Sequence, residues 1–375
     1  MNNSRIEKVR NFLTTKKLDA MIVSSVSNIF YLSGISHFSK DEREAYLLIT
    51  MQNTYFFTTS LYMEEVKRKV EGFILQQIGR DQSFEDVLEK ICQKEKLEAI
   101  GFEEQDIRYA EYAWIAEVTE NLSPVSLNIR VQKDSDEIEK IQKACDMGDK
   151  AFTHALSQIK RGISEKDIQI QIELFLKQHN ADISFRPIVA FGANSSMPHY
   201  ESSADRKLEN NECVLIDMGA KVAGYCSDMT RTVFFGEPTK EQKDMYQTVL
   251  ESQQKAIELL SSSWQRSKSR INNVNDSIQT KMTASNVDKI ARDYIISKGY
   301  PPIPHSLGHG IGIDVHEPPS ISPNSDIVLR PGMVFSIEPG IYIPDFMGVR
   351  IEDLVVIERE SLRILTLSSK EIIVL

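Results

Sequence analysis

The sequence predicts an α/β domain over residues 1–131 followed by an α+β domain over residues 132–375. Three observations predict it. Short apolar strands alternate with amphipathic helices up to about residue 130, two long helical repeats come next, and strands dominate beyond them. In order, RIEKVRNFLTTKKL has helical spacing, while DAMIVS, AYLLIT and TYFFTT read as strands. SFEDVLEKICQKEKL is again helical and AIGFEE is a strand. This part holds one histidine, His37, read as a surface or loop residue, and no cluster of catalytic residue types.

NLSPVSLNIRVQKDSDE reads as a connector. Ser135 is the expected N-cap of a long helix in which Ile138, Ile141, Cys145, Phe152, Leu156 and Ile159 recur at helical spacing. A second helix, ISEKDIQIQIELFLKQH, follows, and the later strands are broken by helices near 239–261 and 284–298. Residues 261–281, SSSWQRSKSRINNVNDSIQTK, are rich in Ser, Asn and basic side chains and are read as a surface insertion, with Trp264 as an anchor or contact point. No internal repeat is evident.

A chain of 375 residues is long enough for two domains and a sizeable core. Its formal charge of −10 disfavours nucleic acid as a partner, because phosphate contacts need clustered Lys and Arg. No apolar run is long enough to cross a bilayer, and MNNSRIEKVRNFLTTKK lacks the apolar core of a signal peptide. Cys92, Cys145, Cys213 and Cys226 show no paired spacing and are read as reduced, packed thiols of a cytoplasmic protein.

Four acids interrupt runs that otherwise read as buried strand: Asp217 in VLIDMG, Asp228 in GYCSDMTRT, Glu338 in MVFSIEPG and Glu352 in VRIEDLVVI. A bare carboxylate in such a place costs several kcal/mol, so it must be neutralised, paired or metal-bound. VLIDMGAKVAGYCSDMTRTVFF suggests two strands and a turn centred near Val222 and Ala223, which sets Asp217 against Asp228. Such a pair repels by about 4 kcal/mol at roughly 4 Å, a penalty that a divalent cation reverses. The competing reading points one acid to solvent and pairs the other with Arg231. In VRIEDLVVI, alternation places Arg350 and Glu352 on one face, with Val349, Ile351 and Asp353 on the other. A second hairpin would bring Glu338 to Glu352. Between the two pairs lies HSLGHGIGIDVHEPP, with His305, His309 and His316, and His199 precedes them in NSSMPHY. The spacing of His305 and His309 suits a helix, but Gly308, Gly310 and Gly312 argue instead for backbone packed closely against a neighbour. His154 and His179, on the long helices, are read as structural or exposed. Imidazole with carboxylate suits divalent first-row ions.

The order Asp217, Asp228, His309, Glu338, Glu352 resembles the dinuclear site of the pita-bread metallopeptidases, a superfamily that contains methionine aminopeptidases, aminopeptidase P, prolidase and creatinase. The matching stretches are IDMGAKVAGYCSDMTRT, HSLGHGIGIDVHE, SIEPGIY and GVRIEDLVVI; NIFYLSG and IRVQKDSDEIEKIQKA resemble the N-terminal domain and first helix of the prolidase and aminopeptidase P branch. The resemblance implies a creatinase/prolidase-like N-terminal domain, a pita-bread catalytic domain and two divalent ions drawn from Mn, Co, Zn and Fe. It implies that Asp217 chelates one ion, that Asp228 and Glu352 bridge both, and that His309 and Glu338 complete the other shell. It further implies a hydroxide held between the ions, with Glu338 accepting the proton of the attacking water. The resemblance also implies that His199 and His316 flank the reacting carbonyl and leaving nitrogen, and that Arg350 orients substrate or holds the bridging carboxylate.

All five positions hold ligand-type residues, which sets aside the metal-free amidinohydrolases. His305, four residues before His309, points to the proline-specific branch, where it lines the pocket for the proline side of an Xaa-Pro bond. The expected function is therefore hydrolysis of Xaa-Pro bonds in peptides with proline second, by a homodimer in which the N-terminal domain shapes access. The alternatives carried are methionine aminopeptidase activity and a non-catalytic scaffold.

Overall fold

Strands with no polar face need cover on both sides, and β1 (Ala20–Val23), β2 (Ala45–Thr50) and β3 (Thr54–Thr58) are buried at every position. The computed structural model describes residues 2–119, 121–270 and 282–375, which divide into units of residues 1–130 and 131–375. In the first, these strands join β4 (Ile74–Gln77), β5 (Ala99–Glu103) and β6 (Asn121–Val125) in a mixed sheet ordered β4-β3-β2-β1-β5-β6. α1 (Asn2–Lys16), α2 (Val26–Ser33) and α3 (Ser60–Lys69) pack with it, and α4 (Phe84–Glu95) and α5 (Tyr109–Val118) form a core against it through Leu88, Ile91 and Ile115.

The expected connector is corrected here. NLSPV is β6, paired parallel to β5. Pro124 masks the pattern, and a proline is tolerated because β6 is an edge strand.

The second unit repeats one succession of elements. α6 (Ser135–Gln158) and α7 (Glu165–Gln178) precede β7 (Asp182–Ile183), β8 (Ile188–Phe191), β9 (Glu212–Met218), β10 (Ala220–Val222), β11 (Tyr225–Cys226) and β12 (Met229–Phe235). Then α8 (Lys240–Arg270) and α9 (Ala284–Ser297) precede β13 (Gly308–Gly310), β14 (Glu317–Ile321), β15 (Val334–Ile337), β16 (Gly340–Ile343), β17 (Met347–Arg350), β18 (Asp353–Ile357) and β19 (Leu362–Ile364). Each helix pair seals its own core. Phe152, Ile168 and Ile172 pack on Val189, Ile216 and Val233, while Val249, Val287 and Ile295 pack with Phe335, Val349 and Val355.

α6 starts one residue earlier than expected. Asp134 is its N-cap, accepting from the Glu137 N–H at 2.9 Å while Glu137 accepts from the Asp134 N–H at 3.0 Å. A reciprocal box is available to Asp134 and not to Ser135. α8 runs to Arg270, so the insertion reading fails over 261–270. Ser262 and Ser263 are accommodated within it, their hydroxyls donating back to the Leu259 carbonyl at 3.1 and 2.6 Å. The rest of that reading, residues 271–281, and the Trp264 side chain lie outside the described residues.

Two registers place the acids. β9 and β12 pair Met218 with Met229, and β10 and β11 pair Val222 with Tyr225. The turn is therefore Ala223–Gly224, both at positive φ (50° and 82°), one residue beyond the expected centre. Asp217 faces Thr230, and Asp228 is its diagonal neighbour rather than its direct partner. β15 and β18 pair Ile337 with Asp353, while β16 and β17 pair Gly340 with Arg350. Both pairings follow one register, so Glu338 and Glu352 face each other where the strands break.

Candidate metal centre

The break between β15–β18 and β16–β17 meets the end of the β9–β12 hairpin side by side. Glu352 N–H donates to the Thr230 carbonyl at 3.1 Å, and Thr232 and Arg350 bond reciprocally at 3.2 and 3.3 Å. β13 lies beside β15 and delivers His309 to the same place. Its glycines permit the approach: a Cβ at Gly308 would collide with the Ser336 carbonyl, and one at Gly310 with the Pro318 carbonyl. The backbone-packing reading of these glycines holds, and no helix forms there.

Ligand atoms of Asp228, His309 and Glu352 lie within 4.8 Å of one another. His309 Nε2 is 3.3 Å from Glu338 Oε1 and 3.6 Å from Asp228 Oδ2. Asp217 Oδ2 accepts from Arg350 Nη2 at 2.6 Å. Asp217 Oδ1, Asp228 Oδ1 and Glu352 Oε1 are buried with no hydrogen-bond partner among the described residues. Three orphaned carboxylate oxygens in one cluster are far too costly to be inert. The competing assignment to Arg231 is excluded, because Arg231 pairs with Asp353 at 2.6 Å.

Electrostatics say the same. Burial, then the Glu352, Asp217 and Glu338 charges, push the Asp228 carboxyl well above its usual range. Burial followed by Glu338 and Asp217 does so for Glu352. Burial pushes Glu338 up to about 7, with Arg350 opposing and Asp217 assisting. His309 Nδ1 lies 3.2 Å from the Gly310 carbonyl, which can only accept, so Nδ1 carries the hydrogen. Burial lowers its pKa, and the Nε2 lone pair then points at carboxylate oxygens. Lone pair against anion is repulsive unless a cation sits between them. The donor set therefore fits divalent cations.

Of the other predicted residues, His316 and Arg350 touch this cluster directly. His316 is exposed, its ring edge-on to His309 with centroids 4.3 Å apart. His305 donates from Nδ1 to the Ser306 carbonyl at 2.7 Å and accepts at Nε2 from the Tyr342 hydroxyl at 2.9 Å. Burial, with smaller contributions from Arg350 and His199, lowers its pKa to about 4. His199 is exposed on the segment after β8, where its charge reaches His305 and His316. Arg350 is buried on the face of Glu352 but reaches that carboxylate only through Thr230, which accepts from Arg350 Nε at 3.0 Å and donates to Glu352 Oε2 at 2.7 Å.

Sequence reasoning missed Thr230, Ser336 and Tyr342. Ser336 donates to Glu338 Oε1 at 3.0 Å and accepts from the His309 N–H at 3.0 Å. Tyr342 accepts from Arg350 Nη1 at 3.0 Å, which joins Arg350 to His305. Period-two alternation was a usable signal: Thr230 follows Asp228 on its face, and Ser336 and Tyr342 share a face with Glu338. The free Cys213 and Cys226 thiols are packed, near Ser195 and the Ile313 carbonyl respectively, as expected of non-ligands.

Comparison with known proteins agrees with this geometry. Residues 139–359 match the profile of metallopeptidase family M24, and residues 5–132 match that of the creatinase/prolidase N-terminal domain. An Xaa-Pro dipeptidase of Pyrococcus horikoshii is 33% identical over 381 residues, spanning 99% of each chain. An Xaa-Pro dipeptidase structure from Bacillus anthracis superposes with a TM-score of 0.88 at 31% identity over 100% of both chains. An X-Pro aminopeptidase structure from Thermotoga maritima gives 0.81 at 31% identity, covering 96% of this chain and 98% of that one. The buried acids and His309 fall inside the matched span, the fold is shared along the full length, and the chain belongs to metallopeptidase family M24.

Proposed function

We propose that this chain is a metal-dependent peptidase that hydrolyses the bond preceding proline in short peptides. One observation carries the hydrolytic centre: Asp228, His309 and Glu352 bring ligand atoms within 4.8 Å of one another, Glu338 lies 3.3 Å from His309, and three buried carboxylate oxygens, that of Asp217 among them, are unpartnered among the described residues. Asp217, Asp228, His309, Glu338 and Glu352 would hold two divalent ions, from Mn, Co, Zn or Fe. Bound there, such ions supply Lewis acidity and water acidic enough to ionise near neutral pH. Glu338, held near neutrality by burial, is suited to take the proton of the attacking water. His316, its ring against His309, and His199, within electrostatic reach of His305 and His316, are assigned to the developing oxyanion and the leaving nitrogen. His305 stays neutral under working conditions, tied by Tyr342 to Arg350, and offers a ring edge for the proline side. The relatives named for Xaa-Pro cleavage support that specificity.

The chain would act in the cytoplasm as a homodimer. Four free buried cysteines support a reducing compartment, and light scattering of the purified protein tests the assembly. Metal-loaded protein should cleave Ala-Pro, an Xaa-Pro-Xaa tripeptide, or both, and leave Met-Ala peptides intact. Cleavage of Ala-Pro alone assigns dipeptidase activity, and cleavage of the tripeptide assigns aminopeptidase activity. Cleavage of Met-Ala alone would overturn the proline assignment.

A further inference from the structure

Glu165, at the first position of α7, is fully buried (0% exposed). No Lys or Arg among the described residues forms an ion pair with it; neutral donors surround its carboxylate. Oε1 accepts from the Phe191 N–H at 2.8 Å and from Asn194 Nδ2 at 2.9 Å. Oε2 accepts from the Tyr200 hydroxyl at 2.8 Å and from the Ser203 N–H at 3.0 Å. Asn194 also donates to Tyr200 Oη at 2.8 Å, so the donors are joined to one another.

All four donors belong to one stretch, residues 191–203, which runs from the end of β8 through a 3₁₀ turn at Gly192–Ser196. That stretch carries His199. The His199 side chain is exposed and makes no hydrogen bond or ion pair among the described residues, so its place depends on the backbone on either side. Further along the same stretch, Ser195 accepts from the Gly348 N–H at 2.7 Å and docks the turn on β17, the strand of Arg350. Burying a carboxylate among neutral donors is favourable only when its lone pairs are filled, and here a single loop fills them. The arrangement fixes loop geometry more than it adds stability.

We infer that Glu165 is a positioning residue, whose carboxylate holds the 191–203 loop so that His199 faces the metal-ligand cluster. This rests on the reading of His199 as a group acting on the reacting carbonyl or leaving nitrogen. Glu165→Gln keeps the shape but puts an amide NH₂ against N–H or O–H donors, which breaks the node. Tyr200→Phe removes one donor and leaves the carboxylate, a milder variant should Glu165→Gln fold poorly.

Steady-state kinetics on Ala-Pro, or on the tripeptide if only that is cleaved, with metal content measured on each protein, test it. Glu165→Gln should lower kcat about 10- to 100-fold with KM and metal content near wild type, and Tyr200→Phe should give a smaller fall of the same kind. In the His199→Ala background, Glu165→Gln should add no more than about twofold, since the two changes remove one function. Wild-type turnover in His199→Ala overturns the role of His199 itself. A slow His199→Ala enzyme with undiminished Glu165→Gln and Tyr200→Phe variants overturns the positioning role alone. Loss of metal in Glu165→Gln, or a full further loss on top of His199→Ala, also overturns it.

Discussion

Asp228 carries two opposed energies, and substitution separates them. It is buried among Glu352, Asp217 and Glu338, so its ionised form is unfavourable without a cation and useful with one. Asp228→Asn should raise the melting temperature of the chelated protein, yet reduce metal content and lower kcat on the order of 100-fold or more. Calorimetry with and without metal reads both signs, and an equal shift in the two states would contradict the repulsion argument. His305 gives a pH dependence. Burial lowers its pKa from 6.5 to about 4, so between those values the unfolded chain binds a proton that the folded chain refuses. Stability should therefore fall as pH drops from about 6.5 towards 4, by up to roughly 3 kcal/mol. Denaturant melts across that window should lose this slope in His305→Asn, and a slope that survives the substitution excludes His305 as its source.

At the scale of elements, the hairpins act by bringing backbone close to backbone. Gly308 sits where any side chain meets the Ser336 carbonyl, so Gly308→Ala should push β13 from β15 and cost about 1–3 kcal/mol, with metal affinity falling alongside. A variant that keeps both would show that β13 has room to move. Beneath the acid cluster, Arg231 is 1% exposed and pairs with the fully buried Asp353, while also donating to the Glu352 carbonyl. Arg231→Met strands a buried carboxylate and should destabilise by about 3–5 kcal/mol. Lys370 still reaches Asp353, which favours the lower end; urea melts measure it. The elements legible beforehand were those with an unbroken apolar run or a strong helical period: β1, β2, β3, α4, α6 and α7 all stand close to their expected ranges. α2 has only eight residues, and β4 has a burial pattern without apolar alternation, so neither announced itself. Serine composition argued against the end of α8, yet the helix continues to Arg270 with the Ser262 and Ser263 hydroxyls satisfied by the Leu259 carbonyl.

Across the whole molecule, metal and stability should be linked, since ions bind the folded arrangement of acids and not the extended chain. Chelation should lower the melting temperature and abolish turnover, and re-addition of Mn, Co, Zn or Fe should restore both; an unchanged melting temperature would remove the metal from the folding balance. The sequence by itself singled out Asp217, Asp228, Glu338 and Glu352, because a carboxylate inside an apolar strand has so few physical outcomes that it stands out without coordinates. Tertiary structure alone decided how they meet. It set the Ala223–Gly224 turn that makes Asp217 and Asp228 diagonal neighbours, the shared register that opposes Glu338 to Glu352, and the choice of Asp217 over Glu352 as the direct partner of Arg350. Those outcomes depend on side chains far apart in the chain competing for the same space and the same lone pairs, and local spacing carries no record of that competition.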